Sequence, residues 1–326
     1  MMKLSTMLAV DRAVDRHGKS LIAEQVLKPW EYDRDSVTFF RASANFIYLF
    51  RKGGKPFFLR FAAGSERTRE AIEAEIDILK WVAARGITVT PPIESSNGNF
   101  VETVETDLGI FHGVVFGRLD GSQLEIEDLD DGQFCQWGIA LGRLHSALKE
   151  YTGPGVSARG TWRDYLELIR TYLPQDQSPV WSEFEQIASS LQALPVPSDG
   201  YGLVHSDFEL DNLYWQERAI GIGDFDECSY AWYGMDIAFA LRDLFRYHVD
   251  LNSRSFLAFV RGYETENRLH AELVSQMPLF LSMAKLLTYA RLVRSMDLLP
   301  RTEDPAWLQA LRVKLERWLD DYQASL

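Results

Sequence analysis

Cysteine is scarce in this sequence, which limits the crosslinks and metal centres it can form. The two cysteines, Cys135 and Cys228, lie far apart in the chain. Neither belongs to a CxxC motif or to a Cys/His spacing typical of zinc ligands, so we expect neither a disulfide framework nor a zinc site. A reducing, cytoplasmic setting is the expectation that follows.

Positive charge and long apolar runs are also in short supply. The chain has 34 Lys and Arg against 47 Asp and Glu, a net charge of −13. Such a surface repels polyanions, so we expect neither nucleic acid nor an anionic membrane as a partner. No uncharged run approaches the ~18 residues that a transmembrane helix needs, so we expect a protein that is neither secreted nor integral to a membrane.

What the chain does have is enough apolar sequence for a sizeable core. Of its 326 residues, 46% are hydrophobic, and no repeat or low-complexity tract interrupts them. Glycine and proline residues mark turns between the predicted segments, and the order of these segments predicts an α+β fold of two lobes. Residues 1–118 form the expected β-rich lobe, and residues 119–326 form the expected helical lobe.

The first lobe is predicted from alternating aromatic and β-branched residues. Residues 36–61 read as strand, glycine turn and strand, and short apolar runs over 87–121 indicate more antiparallel strands. Between them, apolar residues recur at helical spacing until Gly86 ends the run.

The second lobe follows the helical period. Helices are predicted around residues 130–149, 162–172, 181–194, 253–265, 270–297 and 305–324. His145 lies on the apolar face of the first of them, which is typical of a hydrogen-bonded core histidine. Residues 201–226 are the exception, because they read as short strands separated by turns.

Acidic side chains are concentrated in residues 201–240. This segment has eight acidic residues against one basic residue, Arg218. Asp207 and Asn212 lie on one loop, and an apolar hairpin with its turn at residues 216–218 would return Asp224 to the same end. Because oxygen ligands suit Mg²⁺, which is completed by water and substrate phosphates, the pattern predicts a magnesium site. A solvated acidic loop is the plain alternative, and a zinc hydrolase would need more histidines than this segment has.

The segments HSDFELDN and GIGDFDE resemble the catalytic and metal-binding loops of the aminoglycoside phosphotransferase and choline kinase-like family, which has the protein-kinase-like fold. The resemblance covers about residues 36–245. It implies that Asp207 orients the substrate hydroxyl and accepts its proton, and that Asn212 and Asp224 hold Mg²⁺ against the phosphates of ATP. His205 would then shape the loop.

Two further acids have supporting roles by this resemblance. Asp226 stands at a position where family members vary, and it would support the metal site or face the substrate. Asp236 precedes an apolar helical run, so it would cap a helix or anchor the catalytic loop by hydrogen bonds.

The resemblance also implies a nucleotide site in the first lobe. Arg60, in place of the usual lysine, would pair with Glu75 and steady the phosphates. Ser43 and Asn45 lie in the bend expected to cover the nucleotide, which lacks the glycines of protein kinases. The strand between the lobes would hold adenine through Val115, Phe116 and Arg118.

The sequence therefore predicts an ATP- and Mg²⁺-dependent kinase of a small hydroxylated molecule, such as an amino alcohol, amino sugar or amino acid. Two alternatives stay open. A non-catalytic nucleotide-binding scaffold would accommodate Arg60 and the glycine-poor bend. A Ser/Thr protein kinase would need an activation segment, and none ending in A-P-E follows Asp224. The oligomeric state is unknown from the sequence.

Overall fold

The computed structural model describes residues 1–175, 178–217 and 219–325. An antiparallel sheet with one long helix occupies the N-terminal part, and helices dominate the rest. This confirms the predicted α+β class.

Two short helices precede the sheet, and neither was predicted from the sequence. They are α1 (Leu4–Arg12) and α2 (Leu21–Leu27), and Ser20 caps the second by accepting a hydrogen bond from the backbone N–H of Ala23. Helices this short are marginal by themselves, so their formation depends on burial of Leu4, Ala23 and other apolar residues against the sheet.

The sheet has six strands, in the order β1-β2-β3-β6-β4, with β5 also paired to β6. Their bounds are β1 Thr38–Ala42, β2 Phe46–Lys52, β3 Lys55–Ala63, β4 Pro92–Ile93, β5 Val101–Thr106 and β6 Gly109–Gly117. All pairings are antiparallel, as predicted. The first predicted strand is in fact two, because a tight turn at residues 43–45 folds β1 back onto β2.

One long helix packs beside this sheet. Helix α3 (Arg69–Ala83) begins at Thr68, whose side chain accepts a hydrogen bond from the backbone N–H of Ala71. It buries an apolar face and one carboxylate, that of Glu75. Gly86 adopts a positive φ shortly after the helix ends, as the predicted stop requires.

The C-terminal part contains eight helices within the described residues. They are α4 Asp131–Lys149, α5 Trp162–Tyr172, α6 Ser178–Ala193, α7 Tyr233–Ala240, α8 Arg254–Glu264, α9 Ala271–Ser275, α10 Met277–Ser295 and α11 Ala306–Ser325. The predicted helix over 270–297 was wrong in one respect: it is broken at Gln276, where Pro278 starts a new helix. No described helix has the length and apolar character that crossing a membrane requires.

Four short strands lie among these helices in the described residues, of which the sequence predicted the first three and missed the last. Strand β7 (Tyr201–Val204) pairs with β10 (Ser229–Trp232), and β8 (Leu213–Trp215) pairs with β9 (Ile220–Ile222). Arg218, expected in the turn between β8 and β9, lies outside the described residues.

Two clusters of buried apolar side chains hold the chain together. The larger fills the helical part and reaches α3. The smaller joins α1, α2 and the sheet to the C-terminal end of the chain, because Leu292, Leu308 and Leu315 belong to it. Helix α11 therefore packs against the N-terminal part, although it follows the predicted second lobe in sequence.

Candidate active site

A cleft of about 390 Å³ opens between the sheet and the loops around β8 and β9. This volume is within the range of small-molecule sites. Its charged and amide side chains include Arg60, Glu75, Asn212 and Asp224. Four residues chosen from widely separated parts of the sequence thus line the same cavity.

The loop after β7 holds Asp207 and Asn212 side by side. The Nδ2 of Asn212 donates hydrogen bonds of 2.9 Å to both the backbone oxygen and the Oδ2 of Asp207. Because the amide nitrogen is committed to Asp207, the Oδ1 of Asn212 is the atom available to a cation. A helical turn over Leu210–Asn212 sets this side chain at the start of β8.

The β8-β9 hairpin returns Asp224 to the same place. Leu213 pairs with Ile222, and the N–H of Gly223 donates to the backbone oxygen of Asn212 at 2.8 Å. Asp224 follows with φ 55° and ψ 70°, a left-handed conformation that aspartate tolerates better than bulkier residues do. The convergence expected of the hairpin is therefore present.

Arg60 connects the sheet to this loop through a buried ion pair. Its Nη1 donates to Glu75 Oε1 at 2.9 Å and to Asp224 Oδ1 at 3.2 Å, and its Nη2 contacts Glu75 Oε2. The guanidinium also lies 4.9 Å from the centroid of the Phe116 ring. One arginine from β3 thus joins α3 to the loop carrying Asp224, with the fork geometry that suits two carboxylates.

The carboxylates of the site have pKa values shifted in opposite directions. Burial, followed by the nearby Asp226, raises the pKa of Asp224 well above its ordinary value, while Arg60 opposes the shift. Burial also acts against ionisation of Asp207, but a hydrogen bond with Glu209 and the charge of Arg242 outweigh it and lower the pKa. Asp207 is therefore ionised at neutral pH.

Glu209 shares a site with Asp207. Burial and then the hydrogen bond with Asp207 raise the pKa of Glu209 to about 9. Arg242, whose guanidinium contacts Glu209, acts in the opposite direction. The two carboxyls therefore retain one proton between them over the neutral range, and the charge resides on Asp207.

Asp236 anchors the backbone of this loop. Its Oδ1 accepts from the N–H of Ser206 at 2.7 Å, and its Oδ2 accepts from the N–H of His205 at 3.1 Å and from His145 Nε2 at 2.9 Å. Of the two structural roles expected for it, the structure shows the anchor and no cap bond to α7. His145 is fully buried and hydrogen-bonded to Tyr263, as expected of a core histidine.

His205 lies beneath the loop and faces away from the cleft. Its Nε2 donates to the backbone oxygen of Gly223 at 3.0 Å, and its ring packs against Phe208 and Phe225. It therefore ties the Asp207 loop to the segment preceding Asp224.

Asp226 is buried behind the cleft. It accepts from Asn45 Nδ2 at 2.8 Å and pairs with Arg67 at 2.8 Å. Its backbone oxygen accepts from Arg159 at 2.7 Å. The structure therefore places Asp226 and Asn45 in contact with each other, where both fasten the sheet turn to the Asp224 loop.

The remaining predicted nucleotide contacts divide between cleft and core. Ser43 is exposed in the turn before β2 and is absent from the described lining of the cleft. Val115 is buried in the N-terminal core, whereas Phe116 and Arg118 line the cavity. Since β6 ends at Gly117, the backbone that is free of the sheet begins at Arg118.

The donors at the cleft fit a magnesium ion that arrives with a nucleotide. No group of three or more His, Cys, Asp or Glu within the described chain is arranged to hold a metal. Asn212 and Asp224 offer an amide oxygen and a carboxylate at the cleft wall. Mg²⁺ commonly takes one or two protein carboxylates and completes its shell with water and phosphates, so a closed protein cage is not needed.

Several lining residues were missed by sequence reasoning. Phe40 and Arg41 lie at the end of β1, and Tyr214 lies on β8. Nothing in their local sequence separates them from ordinary strand residues. Glu209, by contrast, stands inside the quoted motif and could have been noticed as a second carboxyl beside Asp207.

Comparison with known proteins agrees with this geometry. A family model described as a phosphotransferase enzyme family, APH, matches residues 36–273. Amicoumacin kinase of Bacillus subtilis (strain 168) is 29% identical over 293 residues, which cover 86% of this chain and 87% of that protein.

Solved structures show the same fold. An amicoumacin kinase in complex with AMP-PNP, Ca²⁺ and Ami has a TM-score of 0.77 and 25% identity, covering 96% of this chain and 95% of that one. A microcompartment-associated aminopropanol kinase has a TM-score of 0.69 at 21% identity, with 94% and 98% covered. Since the family model spans most of the chain, this protein belongs to the APH phosphotransferase enzyme family and is a small-molecule kinase with the kinase-like fold.

Proposed function

We propose that this protein transfers a phosphoryl group from ATP to a hydroxyl group of a small amine-bearing molecule, with Mg²⁺ bound at Asn212 and Asp224. The observation that carries the proposal is the convergence of these two residues with the Arg60–Glu75 pair at a single cleft, where Asn212 is hydrogen-bonded to Asp207. This arrangement supports the proposal, because phosphoryl transfer needs a metal site, a positioned base and a phosphate-binding cation close together.

Asp207 would align the acceptor hydroxyl and receive its proton. Its carboxylate is ionised at neutral pH, and the hydrogen bond from Asn212 keeps it in one orientation. An oriented base contributes through positioning more than through basicity in this class of reaction.

The metal and Arg60 would bind the phosphates of the nucleotide. Bound Mg²⁺ neutralises the charge that develops on the transferred group. A cation near Asp224 would also offset the two main causes of its raised pKa, which are burial and then the charge of Asp226. Arg60, held by Glu75, is placed to contact the nucleotide from the sheet side of the cleft.

The rest of the cleft supports an adenine site. Its apolar lining suits a flat heterocycle and includes Phe40, Ile47, Phe58, Leu79, Phe116 and Leu119. Backbone groups from Arg118 onward, free of the sheet, would hydrogen-bond the base.

The surroundings of Asp207 favour a cationic acceptor. Asp207 carries the negative charge of its pair with Glu209, and the charge of Asp243 also acts at this site, opposed by that of Arg242. An ammonium group would be attracted to this acidic environment. Amicoumacin and aminopropanol, the compounds named for two similar kinases, are therefore the first acceptors to test.

The test is Mg²⁺-dependent turnover of ATP by the wild type and by Asp207→Asn, over a panel of hydroxylated amines that includes both compounds. We expect the substitution to lower kcat at least about a hundredfold, the lower range for a positioned base. Glu217→Gln, an exposed carboxyl in the β8-β9 connection, is the matched control and should behave as wild type.

Three outcomes would contradict the proposal. Full turnover by Asp207→Asn would remove the assigned base. Binding of ATP without transfer to any small molecule would favour the scaffold alternative, because ligand binding stabilises a folded protein whether or not it reacts. Transfer of labelled phosphate to polypeptides in a lysate, with no transfer to any of the small acceptors, would favour a protein kinase.

A further inference from the structure

Arg41 is a cation in the cleft that the roles assigned above do not use. It is exposed at the end of β1 and lines the cavity. Within the described residues its side chain forms no hydrogen bond or ion pair. By contrast, Arg60 in the same cavity is paired with Glu75 and Asp224. A free guanidinium in an acidic protein is available to an anionic ligand.

A bulge in β1 turns Arg41 toward the cleft. The pairing with β2 shifts between Phe39 and Arg41, so Phe40 is the extra residue. As a result, the consecutive residues Phe40 and Arg41 both line the cavity, which a regular strand would not allow. Bulges of this kind commonly redirect a side chain beside a binding site.

The register of the sheet places Arg41 in one row with Arg60. Arg41 pairs with Ile47, and Ile47 pairs with Arg60 on the next strand. Directly paired residues project from the same face, so both arginines face the cleft. Their backbones are about 10 Å apart, two strand spacings. Across the cavity, the charge of Arg41 acts on Tyr214.

The neighbouring turn does not supply the donors that a glycine-rich loop would. The N–H of Ser43 donates to the backbone oxygen of Asn45, and the side-chain amide of Asn45 donates to Asp226. These groups are already used within the fold. These two donors are therefore not available to the phosphates, which favours a further donor on this side of the cleft.

We propose that Arg41 binds the phosphate chain of the nucleotide from the β1 side and takes the place of a glycine-rich loop. This inference rests on the proposed function, since it assumes a nucleotide in the cleft. The contact is between a guanidinium and phosphate oxygens, for which arginine has the matching fork of donors.

The test is calorimetric titration, without acceptor and with Mg²⁺, of a non-hydrolysable ATP analogue, ADP, AMP and adenosine. The proteins are the wild type, Arg41→Gln, Arg41→Lys and the control Arg34→Gln, which removes an exposed arginine before β1. We expect Arg41→Gln to lower the affinity for the triphosphate analogue by about 10- to 100-fold and the affinity for adenosine by less than about twofold. Arg41→Lys should fall between, and Arg34→Gln should match the wild type.

The outcomes separate this inference from the function on which it rests. An unchanged affinity for the triphosphate in Arg41→Gln, or an equal loss for adenosine, would overturn the role of Arg41 and leave the kinase proposal standing. A wild type that binds no nucleotide would overturn both. Because Arg41 is exposed at the sheet edge, thermal unfolding of the variants without ligand should match that of the wild type.

Discussion

Arg60 positions three parts of the site at the cost of burying its charge. Its guanidinium is buried with Glu75, which is 1% exposed, and it also contacts Asp224. Burying charges costs several kcal/mol each before any attraction is gained, so such a pair is weak evidence for stability. Its value lies in holding β3, α3 and the Asp224 loop in one arrangement.

Replacing Arg60 by methionine should therefore be costly. The substitution leaves Glu75 buried without its partner, and we expect the free energy of unfolding to fall by about 3–5 kcal/mol. Urea denaturation measures it. Arg69→Met breaks an exposed pair with Glu73 and should cost less than about 1 kcal/mol. Similar losses in the free energy of unfolding of the two variants would show that burial does not make the loss of the Arg60 pair more costly than the loss of an exposed pair.

Glu209 should make stability depend on pH. Its pKa is about 9 in the folded protein against an ordinary value of 4.5, mainly because of burial and then Asp207. Between these values the folded state binds the proton more tightly than the unfolded state, so stability is fully present below pH 4.5 and falls as pH rises through 9. Glu209→Gln removes this dependence.

As pH rises from 5.5 to 8.5, we expect the free energy of unfolding of Glu209→Gln to increase by at least about 1 kcal/mol relative to that of the wild type. Urea unfolding at the two pH values measures the difference. Asp250→Asn, at an exposed position after α7, is a control that should leave the pH dependence unchanged. A constant difference between Glu209→Gln and wild type would contradict the assigned pKa.

Residues of the site were predictable where chemistry and spacing coincide in the chain. Asp207, Asn212 and Asp224 fall within one short motif, and their convergence follows from a local hairpin. Arg41 was not predictable, because its orientation depends on a bulge in the pairing of β1 with β2. The contact of Asn45 with Asp226 joins positions 181 residues apart, which no local pattern encodes.

At the scale of elements, the crossing of α4 and α8 depends on glycines. A Cβ added at Gly262 would lie 2.0 Å from the backbone oxygen of Cys135, and one at Gly138 would lie 2.0 Å from that of Phe259. The two helices therefore approach backbone to backbone, and the obstruction is a carbonyl that cannot rotate away. Helix α4 carries His145, which bonds Asp236, so this crossing supports the catalytic loop.

Gly262→Ala should destabilise the protein, although replacing glycine by alanine in a helix usually stabilises it. Within an exposed helix, alanine is more favourable than glycine by about 1 kcal/mol. Here we expect a loss of about 1–3 kcal/mol in the free energy of unfolding, because the added methyl group forces the helices apart. Chemical denaturation measures it, with Gln136→Ala on the exposed face of α4 as the control. Stabilisation by Gly262→Ala would contradict the close crossing.

Long amphipathic helices and aromatic strands were predictable because their patterns repeat over many residues. The bounds of α5 were given as residues 162–172, and the structure has Trp162–Tyr172. Helices α1 and α2 were missed because each is too short to show a clear period and is stabilised by tertiary packing. The tight turn between β1 and β2 was expected only from the family resemblance, because the pattern of residues 36–50 by itself reads as one strand.

At the scale of the whole molecule, the two ends of the chain meet. Arg294 donates to the backbone oxygen of Met1 at 3.0 Å, and Trp307 donates to Asp11 at 3.0 Å. Leu308 and Leu315 of α11 are fully buried in the cluster that contains α1, α2 and the sheet. The division at residue 118 stays a prediction, and the structure shows that the C-terminal helix contributes to the core around the N-terminal sheet.

This arrangement predicts that the nucleotide-binding sheet is destabilised by a change nearly two hundred residues after the proposed boundary at residue 118. Leu315→Ala leaves a cavity in the smaller core, and we expect a loss of about 2–5 kcal/mol in the free energy of unfolding. Val313→Ala is the matched control on the same helix, because Val313 is 47% exposed and should cost less than about 0.5 kcal/mol.

Urea unfolding of both variants, followed by tryptophan fluorescence and by far-ultraviolet circular dichroism, measures the effect. The two signals should coincide in the wild type if both cores unfold as one unit. A nucleotide that binds the folded cleft should restore part of the stability lost in Leu315→Ala, since ligand binding shifts unfolding by mass action. Equal costs at positions 313 and 315 would mean that α11 does not support the sheet, and the first lobe would then derive its stability from residues 1–118 alone.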